Sequence, residues 1–256
     1  MIICKGKGEL EKMRVANLIV AEVLDRLSEM ARPGVTTAEM DLVAEEIIRV
    51  AGAEPAFKGY GGSRTVPPFP GSVCASVNEE IIHGIPRASR VLAEGDIIGA
   101  DVGVCFQGFF GDAARTFPVG RVSPELEKLL RVTLESLERG ISQVRVGNRV
   151  SDISSSIQQH VEANGFSVVR EFVGHGIGRS LHEDPQVPNF GKPGRGPRLL
   201  EGMVLAIEPM VNTKGPDTKL MPDRWTAVTA DGGYSAHFEH SVAVTANGPW
   251  VLSKNN

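Results

Sequence analysis

Cysteine is scarce in this chain, and the three present, Cys4, Cys74 and Cys105, form no CxxC pair. An odd, scattered set excludes a disulfide framework and a structural zinc ribbon, so reduced thiols are expected. Long apolar runs are missing too. No stretch approaches the ~18 residues of a membrane span, and the opening MIICKGKGEL lacks the apolar centre of a secretory signal. A cytoplasmic protein without membrane contact is expected. Charge of one sign is also lacking: the formal net charge of −4 is too mild for a dedicated nucleic-acid binder. What remains is an ordinary globular composition, 41% hydrophobic and 23% charged over 256 residues, with room for a substantial core.

Helical spacing of Met13, Ala16, Val20, Val23, Leu24, Leu27 and Met30 predicts a first helix over 9–30, stopped by Arg32-Pro33-Gly34. Thr36-Thr37-Ala38-Glu39 has capping-box spacing and opens a second helix that Gly52 ends. Residues 53–72, rich in Gly and Pro, read as an irregular loop able to line a pocket. Strands are expected over 73–77, 81–83, 97–110 and 113–119. Ser123-Pro124 starts a third helix, closed by Gly140, and a fourth is expected over 151–164. A strand over 167–173, a glycine-rich loop GHGIGRSLHEDP and strands over 203–211 and 238–245 follow.

This order of helices, strand, glycine-rich loop and strands occurs twice, and short matches accompany it. Arg32-x-Gly34 answers Arg145-x-Gly147, and Gly52 answers Gly165 at the same displacement. Glu94-Gly95 answers Glu201-Gly202, which sets Asp101 opposite Glu208, while His83-x-x-Pro86 answers His182-x-x-Pro185. One domain of two similar halves, about 1–120 and 121–256, is expected, with acids from both converging.

The stretch 97–112, IIGADVGVCFQGFFGD, places Asp101 and Asp112 among strand formers. Either they lie in exposed turns or they are buried with partners, since an isolated buried carboxylate is costly. Acids and imidazoles on apolar strands or glycine-flanked turns add His83, His175, His182, Glu208 and Glu239. Four carboxylates forced together repel unless a cation sits among them. Two divalent ions held by four acids and one His are the economical solution, and an oxygen-rich set suits Mn, Fe(II), Co or Zn in a catalytic role. Gly174-His175-Gly176-Ile177-Gly178 is not a dinucleotide loop, because Arg179 stands where the third glycine belongs. Cys74, in an apolar run without an electropositive setting, reads as a pocket-lining thiol.

The blocks NEEIIHGIP, DVGVCFQGFFGDAARTF, GHGIGRSLHEDP, VLAIEPM and HFEHS, in this order, resemble the signature segments of type I methionine aminopeptidases. The resemblance implies the α+β pita-bread fold, a pseudo-two-fold repeat of helices on a curved antiparallel sheet. It implies removal of the initiator methionine from nascent polypeptides whose second residue is small. Asp101, Asp112, His175, Glu208 and Glu239 would hold two metal ions, Asp112 and Glu239 bridging them. His83 and His182 would be the catalytic pair and Glu208 the proton carrier. Phe69, Cys74 and Trp225, with His83 on the rim, would bind the methionine side chain. Val66 and Leu181 depart from the family, standing where other members carry aromatic residues. A monomer is implied. Lys5, Lys7, Lys12, Arg14 and the segment 192–198 form a basic, solvated face that could serve docking near the ribosomal exit tunnel. Proline-directed peptidases of the same fold are the rival, but they carry an additional N-terminal domain for which this length leaves no room. A metal-free adaptor is disfavoured by the intact ligand set.

Overall fold

The computed structural model describes residues 1–254. Its helices are α1 (Lys7–Met30), α2 (Thr37–Val50), α3 (Pro124–Ser142) and α4 (Val150–Ala163). The strands of the first part are β1 (Glu54–Pro55), β2 (Val73–Val77), β3 (Glu80–Ile82), β4 (Ile97–Phe106) and β5 (Phe109–Pro118). After α4 come β6 (Ser167–Val168), β7 (Gly174–Gly176), β8 (Glu183–Val187), β9 (Val204–Ile207) and β10 (Met210–Asn212). The chain closes through β11 (Thr218–Leu220), β12 (Ala227–Thr229), β13 (Ser235–His237), β14 (His240–Thr245) and β15 (Gly248–Val251). Among the described residues no helix is long and apolar enough to cross a membrane.

Local chemistry accounts for the helix starts. Thr36 Oγ1 accepts the Glu39 amide while Glu39 Oε2 accepts the Thr36 amide, and Ser123 caps α3 ahead of Pro124. Gly140 does not close α3, which runs on to Ser142. A β-carbon at Gly140 would press on Ile157 of α4 at 2.9 Å, so this glycine lets two helices approach.

Two apolar clusters build the core. Val20, Leu24 and Leu27 of α1 and Met40, Ala44 and Ile48 of α2 pack on Val73, Ile98 and Val102. Leu129 and Val132 of α3 and Ile153 and Ile157 of α4 pack on Leu205, Val242 and Val244. Each such side chain contributes about 1.5–3 kcal/mol when fully buried. β4 lies between β1 and β2 and also pairs with β5, while β15-β14-β9-β7-β8 form a five-stranded sheet. Smaller sheets, β13-β10-β6 and β11-β12-β3, lie alongside, and every strand pairing is antiparallel.

Several expectations differ from the structure. The strand expected over 167–173 is only the two residues of β6. GHGIGRSLHEDP is not simply a loop, because it contributes β7 and the start of β8. Gly174 and Gly176 are there for close strand packing: a β-carbon on either would overlap the carbonyl of Ala206 or of Asp184. The strand expected over 203–211 is two strands in two sheets, and β11, β12 and β15 carry no strong alternation to announce them.

Candidate metal centre

Asp101 and Asp112 face the same side of one hairpin. β4 and β5 join through Gln107 and Gly108, at φ 50° and 76°, the left-handed pair whose twist suits a two-residue turn. The register sets Asp101 against Ala114 and Gly103 against Asp112, so the two acids are diagonal neighbours on one face.

The other two acids sit where the chain changes sheets. Pro209, which has no amide hydrogen, ends the ladder of β9, and β10 resumes in the neighbouring sheet. The returning chain makes the same transfer in reverse, with Met210 paired to His237 and Ile207 to His240. Glu208 and Glu239 occupy the two breaks. Three rungs tie this crossing to β5. Thr116 Oγ1 donates to the His237 carbonyl and accepts its amide, at 2.8 and 2.9 Å. The Glu239 amide donates to the Ala114 carbonyl at 2.9 Å, and Ser241 Oγ donates to the Asp112 carbonyl at 2.8 Å. Alternate residues of each segment thus meet in antiparallel register, and Asp112 and Glu239 are brought into one volume.

His175, in the centre of β7, pairs with Ala206 of β9. Its Nδ1 lies 2.9 Å from the Gly176 carbonyl, which only accepts, so Nδ1 carries the hydrogen and Nε2 is free for a cation. Nε2 is 3.6 Å from Glu208 Oε1 and 4.0 Å from Asp112 Oδ2, both too long for hydrogen bonds. Ligand atoms of Asp112, His175 and Glu239 lie within 4.8 Å of one another, and Asp101 and Glu208 line the same cavity.

Burial and mutual repulsion push the Asp112 and Glu239 carboxyls well above the usual range. Burial raises Asp101 to about 7 and Glu208 to about 8, and lowers His175 to about 4. Asp101 Oδ1, Asp112 Oδ1 and Glu239 Oε1 are buried without a hydrogen-bond partner. Orphaned buried acceptors are costly, and divalent cations held among them would offset that cost. The donor set, four carboxylates and one neutral imidazole, fits divalent metal.

The cavity above these acids measures about 200 Å³ and has apolar walls. Phe69 meets Trp225 edge-on at 5.3 Å between centroids, and Trp225 Nε1 donates to the Pro67 carbonyl at 2.9 Å. Cys74 lines the wall opposite Asp101 in the β2–β4 register, its thiol pKa raised by burial. His83 follows β3 at φ 58°, its ring 6.2 Å from Trp225, and burial pushes it down to about 4. His182 stands at the mouth, 4.3 Å from the His175 ring. Leu181 lines the cavity, whereas Val66 does not; its carbonyl accepts the Ser63 amide and its own amide donates to Ser63 Oγ at 3.1 Å.

Sequence reasoning missed several neighbours. Tyr60 lines the cavity, with its hydroxyl 2.6 Å from His182 Nδ1. Phe57, Ile82 and Phe172 complete the wall. His237, buried, places Nε2 3.6 Å from Glu208 Oε2, and that nitrogen has no hydrogen-bond partner. The one sequence signal for it is its place two residues before Glu239 on an alternating strand edge.

Residues 11–246 match metallopeptidase family M24. A methionine aminopeptidase of Clostridium perfringens is 57% identical over 99% of both chains. Methionine aminopeptidase 1 of Bacillus subtilis is 52% identical, over 99% of this chain and 100% of its own. The crystal structure of the Thermotoga maritima methionine aminopeptidase superposes with a TM-score of 0.96 at 45% identity, covering 100% of both chains. The chain therefore belongs to the M24 metallopeptidases, among the methionine aminopeptidases, and has their pita-bread fold.

Proposed function

We propose that this chain removes the N-terminal methionine from nascent polypeptides whose second residue is small. One observation carries the reading: four acids and one imidazole, from β4, β5, β7 and the two breaks at 208 and 239, converge beneath a cavity with soft, apolar walls; the chain would be a single catalytic domain of two similar halves. Asp101, Asp112, His175, Glu208 and Glu239 would hold two divalent ions, of cobalt, manganese, iron(II) or zinc. Bound there, such ions supply the positive charge that acidifies water and polarises a carbonyl.

The chain's own residues supply the rest. Phe69, Cys74 and Trp225 take the thioether and exclude water from it. His182, with Tyr60 at its Nδ1, is placed to donate to the carbonyl oxygen of the first peptide bond. Glu208, lining the cavity beside His175, would accept a proton from the attacking water and pass it to the leaving amine. His83, neutral, lies on the rim beside the scissile nitrogen. Asp101 faces the free α-amine, which restricts cleavage to chain ends.

We place the enzyme in the cytoplasm as a monomer, meeting its substrates as they leave the ribosome. The test is hydrolysis of Met-Ala-Ser by protein of measured metal content, with Gly-Pro as the contrast. Cleavage of Gly-Pro alone would sink the reading.

A further inference from the structure

Lys5 does not belong to the solvated basic face that its charge suggests. It is 6% exposed, and its Nζ donates to Glu183 Oε2 at 2.7 Å and to the Ile3 carbonyl at 3.0 Å. The second oxygen of Glu183 accepts the amides of Arg179 and Ser180, at 2.7 and 3.2 Å. One buried carboxylate therefore gathers the turn 178–183 from inside, and Lys5 neutralises it. The backbone of Lys5 is itself held, its amide donating to the Gly202 carbonyl at 2.7 Å. Gly178 makes room for the pair: a β-carbon there would overlap both Lys5 Cε and Glu183 Oε1.

This turn carries two cavity residues. Leu181, 4% exposed, forms part of the wall, and His182 stands at the mouth against Tyr60. Buried ion pairs add little net stability over apolar replacements of the same size, so this pair's contribution lies in the geometry it selects. One carboxylate oxygen accepts both amides of the turn while the other meets Lys5 Nζ, so the pair ties the turn to the segment that carries Lys5.

We propose that Lys5 is a positioning residue for methionyl-peptide cleavage: through Glu183 it fixes the turn 178–183, so that Leu181 closes the methionine cavity and His182 meets the substrate. The inference rests on the proposed peptidase reading.

A double-mutant cycle tests it. Lys5→Met, Lys5→Arg and His182→Ala are assayed on Met-Ala-Ser per folded molecule, with metal content measured independently. Lys5→Met should keep its metal, lower kcat/KM about 10- to 100-fold as a displaced catalytic group does, and raise the KM; Lys5→Arg should recover most of the loss. Combined with His182→Ala, the Lys5→Met change should lower kcat by under about twofold more, while the KM rise that comes through Leu181 remains. Wild-type activity in Lys5→Met, or a kcat loss that persists undiminished without His182, would overturn the proposal. Should Lys5→Met not fold, Glu183→Gln goes through the same cycle, since it keeps an acceptor for both amides but removes the charge that Lys5 neutralises. A wild type that cleaves no methionyl peptide overturns the function itself; a wild type that cleaves beside an unimpaired Lys5→Met overturns this inference alone.

Discussion

Ser241 and Asp112 exchange two hydrogen bonds through one hydroxyl: Ser241 Oγ donates to the Asp112 carbonyl and accepts the Asp112 amide at 3.3 Å. Both residues are buried. Ser241→Ala removes this bridge and should lower stability by about 1–2 kcal/mol in urea denaturation of metal-free protein. It should also weaken divalent-metal binding by about 10-fold or more, because Asp112 loses the contact that orients it. Unchanged metal affinity would separate the bridge from the site.

Asp112 itself is expected to matter for metal and catalysis far more than for folding. Its carboxyl is repelled by Asp101 and Glu208, so Asp112→Asn relieves strain in the metal-free protein. The melting temperature without metal should hold or rise, while bound metal is lost and kcat/KM falls by at least about 10²-fold. Metal analysis after gel filtration and a Met-Ala-Ser assay read the two effects separately.

Metal-free protein should lose stability as pH rises from about 6.5 to 8. Asp101 titrates at about 7 and Glu208 at about 8 when folded, well above their unfolded values. In that window the folded chain retains protons the unfolded chain has lost, which lowers stability by up to ~1.4 kcal/mol per pH unit for each proton. His83 and His175, at about 4 when folded, act the other way but only below about pH 6.5, where the unfolded imidazole takes up its proton. Metal should displace the retained protons and abolish the decline. Calorimetry in two buffers of different ionisation enthalpy measures that release directly; none at pH 7 would count against the raised carboxyls.

Tyr60 is half-open to solvent, and its hydroxyl meets His182 Nδ1 rather than any structural group. Tyr60→Phe should leave the melting temperature nearly unchanged, since exposed substitutions fall within about ±0.5 kcal/mol. Turnover of Met-Ala-Ser should drop by about tenfold or more as the imidazole loses its orienting partner. A drop in melting temperature matching the loss of activity would assign Tyr60 to folding instead.

Elements with local punctuation are legible in the sequence. Thr36 with Glu39 and Ser123 with Pro124 mark helix starts because their hydrogen bonds close within four residues. Asp101 and Asp112 are legible because they interrupt runs of strand formers, and the structure gathers them with Glu208 and Glu239 around one cavity. Features with tertiary causes are not. Gly140 has the look of a terminator, but its reason is Ile157 on another helix. Tyr60 lies in a glycine-rich loop whose path is set from afar, by Arg224 and Trp225 donating to the carbonyls of Thr65 and Pro67. His237 owes its burial to a rung with Thr116 that no local pattern encodes, and Lys5 resembles any surface lysine until Glu183 is seen beside it.

The three rungs between β5 and 237–241 have a thermodynamic consequence. They join the segment that carries Asp112 to the one that carries Glu239, and the proposed ions would draw ligands from both sides of that seam. With ions bound, separating the two segments means releasing metal, so the seam strengthens with metal concentration as RT ln(1 + [M]/Kd). Cohesion across the seam then becomes a property the cell sets through its free divalent metal, and the proposed metal centre doubles as a clasp.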